Sequence, residues 1–176
     1  MESIEQIRVR GGGPLEGTIP VGGAKNSVLK LMAATLLAKG TYHLHNVPRI
    51  TDVDLMSDLL CATGCSVARD GTTLRIDVPA EIEPVAPYEI VEQFRASIVV
   101  MGPMLARCGE ARVAMPGGDD FGPRPIDMHV RGLQELGAEF DTAHGYIHAR
   151  SQNLQGARVL LEFPSVGATE NLVMAA

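Results

Sequence analysis

The chain repeats itself, and the repeat limits what it can fold into. Asp54-Leu55, Leu60 and Gly64 recur as Asp127-Met128, Leu133 and Gly137, each 73 residues further on, and Val47-Pro48 recurs as Met115-Pro116. Around these anchors the element signals run in the same order. Ala24 to Ala38 is rich in helix formers and apolar almost all round, which predicts a largely buried helix stopped by Gly40. Thr41 to Asn46 alternates as a strand does. Asp52 to Thr63 reads as an amphipathic helix, capped by Thr51 or Asp52 and closed by Gly64. Cys65 to Arg69 and Thr73 to Val78 form a strand pair around Asp70-Gly71. The second pass gives a buried helix from Gln93 to Arg107 ending near Gly109, and a strand from Ala111 to Met115. An amphipathic helix from Pro125 to Leu136 follows. A strand pair, Ala138 to Thr142 and Tyr146 to Ala149, flanks His144-Gly145. Before the first pass, Glu5 to Arg10 and Glu16 to Val21 read as short strands around Gly11-Gly12-Gly13-Pro14. The reading is two copies of a β-α-β-α-β-β unit of about 70 residues.

A third copy begins. Gly23-Ala24-Lys25-Asn26 has an echo in Gly167-Ala168-Thr169-Glu170, and both lead into Met-Ala-Ala, at Met32 to Ala34 and Met174 to Ala176. An apolar half-helix is an unusual place for a domain to stop. The expectation is therefore a piece of a longer protein.

The 176 residues include 45% hydrophobic ones, enough for a core, but only 4% aromatics and no Trp. That core must be aliphatic. A net charge of −6, with no basic block, argues against nucleic acid as a partner. Cys61, Cys65 and Cys108 are odd in number, and Cys61-x3-Cys65 lacks the paired spacing of a zinc site. They are expected to be buried free thiols of a reducing compartment. The N-terminal MESIEQIRVR has no apolar signal region, and no run of 18 apolar residues is present. These features predict a soluble cytoplasmic protein with no membrane partner.

Chemistry concentrates in a few places. Pro116 to His129 reads PGGDDFGPRPIDMH, a Gly/Pro-constrained loop able to hold Asp119, Asp120 and Arg124 near one another. Lys25 and Asn26 follow two glycines at a helix start, where backbone N–H groups and a lysine can meet an anion. Arg95 opens the second buried helix near the repeat position of Lys25. With Arg124, these cations suit a phosphorylated or carboxylated ligand. For Asp119 to donate a proton, its pKa must rise above about 3.9. Desolvation and Asp120 push it up, and the cations push it down. His43, His45, His144 and His148 read as surface or packing residues. His129 suits either orientation of the loop or a structural role.

Four spaced motifs resemble the UDP-N-acetylglucosamine 1-carboxyvinyltransferase family of enolpyruvyl transferases. They are Gly23-Ala24-Lys25-Asn26, Phe94-Arg95-Ala96-Ser97, Pro116-Gly117-Gly118-Asp119 with Gly122-x-Arg124-Pro125-x-Asp127, and Ser165-Val166-Gly167-Ala168-Thr169. The resemblance implies an inside-out α/β barrel of repeated β-α-β-α-β-β units, incomplete here. Residues 1–20 would belong with a second domain, and 21–176 would form two units of the first domain plus part of a third. The resemblance gives phosphoenolpyruvate to Lys25, both substrates to Asn26, and the UDP-sugar to Arg95, Arg124, Pro125, Ile126, Asp127 and Met128. Arg124 would also reach phosphoenolpyruvate. Phe163, Pro164, Ser165 and Val166 match a further nucleotide-sugar loop, although many members carry lysine where Phe163 stands. Asp119 stands where most members have a proton-donating cysteine, as in actinobacterial and fosfomycin-insensitive members. A loop carrying it would close over the substrates. No cofactor and no metal are implied, and activity would need the second domain. Two alternatives remain open: a non-catalytic nucleotide-sugar-binding fragment, and a related transferase acting on shikimate phosphate.

Overall fold

The computed structural model describes residues 7–115 and 126–176. The first unit opens with helix α1 (Lys25–Ala34), which tightens into a 3-10 turn at Thr35–Leu37, and continues through β1 (Gly40–Leu44), α2 (Thr51–Ala62), β2 (Ser66–Asp70) and β3 (Thr73–Val78). The second adds β4 (Val85–Ala86) and the short α3 (Tyr88–Val91). A 3-10 segment (Arg95–Val100) then leads into α4 (Met101–Cys108), followed by β5 (Glu110–Ala114), α5 (Asp127–Glu135), β6 (Glu139–Ala143) and β7 (Tyr146–Arg150). Helix α6 (Val166–Ala175) starts the third.

The repeat is real at the level of strand pairing. The first sheet has the order β1-β3-β2 and the second β4-β5-β7-β6. β3 lies antiparallel between β1 and β2, as β7 does between β5 and β6. β4 adds to the second sheet as a parallel edge beside β5. The two-residue hairpin loop before Tyr146 places His144 at φ 52° and Gly145 at φ 78°, positive values that suit the right-handed twist of the strands. In the first unit the loop is Gly71-Thr72, because Asp70 still pairs with Thr73.

The sheets and the amphipathic helices α2 and α5 surround a bundle of the first helices of each unit. α1 packs against the 3-10 segment, and that segment and α4 pack against α6. Leu29, Met32, Leu36, Met101, Met104 and Leu105 are fully buried there. An aliphatic core with helices inside and sheets outside is what the composition and the all-round apolar helices require. The family's inside-out arrangement is present for the part of the fold this chain contains.

Four expectations need correction. The second buried helix is not uniform. Pro103 has no N–H to give and its ring crowds the carbonyl of Val99, so the stretch before it winds as 3-10 and the α-helix starts at Met101. Gly109, at φ 73°, ends it. α2 begins at Thr51 after an N-cap at Ile50, and neither Thr51 nor Asp52 caps it; Asp52 is engaged elsewhere. Among the described residues, 7–24 form no strand, and Ile7, Val9, Leu15, Ile19 and Val21 are 84–99% exposed. Alternation alone does not make a strand when no sheet edge is beside it. The three cysteines are free, but only Cys65 is buried; Cys61 is exposed and Cys108 intermediate.

Candidate functional site

Helix starts make the site. A cleft of about 340 Å³ is lined by Lys25, Asn26 and Lys30 of α1, Asp52 of α2, Gln93 to Ala96 and Ile98-Val99 around the 3-10 segment, His129 of α5 and Gly167 of α6. α1 has no side-chain cap at Ala24. The Ser27 N–H turns back to the Ala24 carbonyl, which leaves the N–H groups of Lys25 and Asn26 at the positive end of the helix dipole as the ones a ligand can meet. Gly23, just before, is required by contact: a Cβ there would run into the carbonyl oxygen of Asn46.

The cations are braced rather than loose. The Lys25 ammonium sits 2.6 Å from the carboxylate of Asp52, which lies inside the first turn of α2 and not at its N-cap. Lys30, one turn past Asn26, pairs with Glu170 of α6 at 3.1 Å. Arg95 faces His129 across the cleft and, with burial as the larger cause, holds that imidazole down to a pKa of about 4, against a smaller upward pull from Asp127. His129 is therefore neutral at pH 7. Lys25 and Lys30, held by Asp52 and Glu170, and Arg95 lie beside helix starts without side-chain caps, an arrangement suited to phosphate or carboxylate groups.

The structure brings together Lys25, Asn26 and Arg95 from elements up to 70 residues apart in sequence, with Asp127 close enough to act on His129. Ile126 precedes α5 and is half-buried. Met128 turns the other way, into a separate groove of about 210 Å³ with Arg131 and Glu162, which are themselves ion-paired. Ser165 caps α6, its hydroxyl accepting from the Ala168 N–H at 3.3 Å. Phe163 and Val166 are exposed, as is Pro164. These four lead into Gly167, which does line the cleft. Asp119, Arg124 and Pro125 lie outside the described residues.

Lys30, Asp52 and Gln93 line the cleft without having been singled out. The spacing of Asn26 and Lys30, four apart on one helix face, was a usable signal for Lys30. Asp52 carried none, because only packing of α2 beside α1 brings it to Lys25. A wider cleft of about 830 Å³, between Cys108 and Gln155, collects none of the motif residues. Among the described residues no group of three His, Cys, Asp or Glu is placed to hold a metal ion, and no helix is long and apolar enough to cross a membrane.

Comparison with known proteins bears on the family and the fold. The family model for EPSP synthase (3-phosphoshikimate 1-carboxyvinyltransferase) matches residues 9–176. A Corynebacterium efficiens protein named UDP-N-acetylglucosamine 1-carboxyvinyltransferase is 54% identical over 97% of this chain. Its namesakes in Mycobacterium bovis and Mycobacterium tuberculosis are 55% identical over 98%. The chain spans 41% of the length of each of these relatives. Among solved structures, the enolpyruvyl transferase NikO from Streptomyces tendae superposes with a TM-score of 0.69 at 23% identity, over 82% of this chain and 32% of that one. EPSP synthase from Acinetobacter baumannii gives 0.67 at 17%, over 90% and 37%. Those two likenesses establish the fold.

Proposed function

The chain belongs to the EPSP synthase (3-phosphoshikimate 1-carboxyvinyltransferase) family, and we propose that it carries one half of an enzyme transferring enolpyruvyl from phosphoenolpyruvate to the 3-hydroxyl of UDP-N-acetylglucosamine. That reaction is the committed step of peptidoglycan synthesis and belongs to the cytoplasm. The observation that carries the reading is the meeting of Lys25, Asn26 and Arg95 at uncapped helix starts. Both substrates are anionic, and this is a receptor for anions. The names of the relatives at 54–55% identity favour the nucleotide sugar as acceptor.

In this reading Lys25 and Arg124 bind the phosphate and carboxylate of phosphoenolpyruvate. Asn26 touches both substrates. Arg95 and the run from Arg124 to Met128, with Phe163 to Val166, hold the UDP-sugar. Asp119 gives its proton to C3 of phosphoenolpyruvate, and positive charge develops at C2. The sugar 3-hydroxyl attacks C2 and gives up its proton to a base. A further proton leaves C3 as the C2–O bond to phosphate breaks, which restores the enol double bond and frees phosphate. Residues 21–176 form the first domain, and residues 1–20 belong to a second one that supplies the base. The exposed alternating residues of 7–22 support that division.

A shikimate-phosphate acceptor is the competing reading, since the family takes its name from one. Calorimetry with UDP-N-acetylglucosamine and with shikimate 3-phosphate separates the two. Binding of the nucleotide sugar, weakened at least tenfold by Arg95→Ala, is the expected result. Preferential binding of shikimate 3-phosphate overturns the assignment.

A further inference from the structure

One buried side chain connects three elements at the floor of the cleft, and the proposed function makes no use of it. Asn171, in α6, is fully buried. Its Oδ1 accepts from the Gly102 N–H at 2.7 Å. Its Nδ2 donates to the Ile98 carbonyl at 3.3 Å and lies 3.0 Å from His129 Nδ1.

The chemistry of these groups leaves one arrangement. A backbone N–H only donates, so the Asn171 atom facing Gly102 must be the oxygen. The atom facing Ile98 and His129 is then the amide nitrogen, which only donates. His129 Nδ1 must therefore accept, and in a neutral imidazole the proton sits on Nε2. The Cε1–Nε2 edge of that ring lies beside Gly167, where a Cβ would be 3.5 Å from both atoms. Gly167 and His129 both line the cleft.

We propose that Asn171 is a positioning residue that fixes His129 as the Nε2–H tautomer and so presents one neutral hydrogen-bond donor to a phosphate or sugar oxygen of the bound nucleotide sugar. The assignment of ligand rests on the proposed function; the assignment of tautomer does not. The charged groups acting on the ring are Arg95 from the 3-10 segment and Asp127 from its own helix. The nearest acid of α6, Glu170, is paired with Lys30. Burial and Arg95 together keep the ring uncharged near neutrality, with a pKa of about 4. The donor therefore does not switch off or change sign across the working pH range. Gly102 belongs to the same device. A Cβ there would collide with the Asn171 backbone oxygen, so only glycine lets α4 come close enough to orient the amide.

Histidine-selective nitrogen-15 NMR on this chain tests the proposal. At pH 7 the expected His129 signals are a protonated Nε2 and an unprotonated Nδ1, unchanged down to pH 5. A protonated Nδ1, or a charged ring at pH 6, overturns the proposal in the wild-type protein without any variant. In Asn171→Asp the carboxylate accepts from both sides, so Nδ1 should gain a proton at pH 7 and the titration midpoint should rise. A tautomer and midpoint unchanged in that variant also overturn it. Saturating UDP-N-acetylglucosamine should then move the Nε2–H resonance. In uniformly nitrogen-15-labelled chain, movement of the Asn26 and Arg95 signals with Nε2–H unmoved rejects the donor role. Movement nowhere rejects the nucleotide-sugar reading alone, and the first two measurements still decide the tautomer.

Discussion

At the scale of single residues, environment rather than identity decides what a side chain does. His129 read as suited either to orienting the loop or to a structural role, and burial beside Arg95 takes its pKa from the usual 6.5 to about 4. Its consequence for stability has a definite sign. The folded chain resists protonation of His129, whereas the unfolded chain accepts it near pH 6.5, so stability is complete above that pH and falls as pH drops toward about 4. The loss from this one group is about 3 kcal/mol over the window. Urea midpoints measured from pH 7 to pH 4.5 should show it. His129→Gln, which keeps a donor and cannot titrate, should flatten that part of the profile. Asp119 poses the opposite problem, since it acts as an acid only if its environment raises its pKa. In a complete enzyme containing this chain, Asp119→Asn should reduce phosphate release by about two to four orders of magnitude, as expected when a proton donor is lost. Asp119→Cys should remain active and become sensitive to fosfomycin, because a thiolate is the better nucleophile toward an epoxide. Wild-type turnover in the Asn variant would remove Asp119 from the mechanism.

At the scale of elements, the agreement between sequence and structure follows from how local each signal is. The helices at 25–34, 51–62 and 127–135 and the strand pairs at 66–78 and 139–150 lie within a few residues of their predicted bounds. Their periodicity and closing glycines act over one or two turns. The stretch from Gln93 to Arg107 was read as one helix because composition dominates such a reading; Pro103 divides it into a 3-10 turn and an α-helix. Strands at 7–10 and 16–21 were inferred from alternation, but a strand exists only with a partner, and none lies beside them among the described residues. The contact between α4 and α6 is a further matter that no local pattern reveals. Gly102 and Asn171 stand 69 residues apart. Gly102→Ala should destabilise the chain by about 1–3 kcal/mol through overpacking against the Asn171 backbone. Chemical denaturation checks the magnitude. An unchanged midpoint would mean that the two helices can separate freely.

At the scale of the whole molecule, the site is a convergence. Lys25, Asp52, Arg95, His129 and Gly167 belong to five elements, and only the packing of the first helices of each unit at the centre puts them around one cleft. A ligand bound there ties those elements together, so occupancy should be read as global stability. UDP-N-acetylglucosamine at a hundred times its Kd should stabilise the chain by about 2.7 kcal/mol, raising Tm by several degrees for a chain of this length. Thermal melts with and without the nucleotide sugar measure this, and Arg95→Ala should remove most of the shift.

Taken alone, the sequence determined the two-unit repeat, the kind and order of nearly every element, the aliphatic core, and the motif residues Lys25, Asn26 and Arg95 as anion-binding candidates. All of these depend on composition and on spacings within a turn, a hairpin or a repeat. Only the tertiary structure decided that Asp52 braces Lys25, that Met128 faces a different groove from its neighbours, and that the Asn171 amide meets His129 Nδ1. Each of those facts is a contact between side chains that are 27 or more residues apart, or the direction of one side chain against distant packing. Periodicity carries no information about which faces of different elements will meet; burial of the common apolar core does.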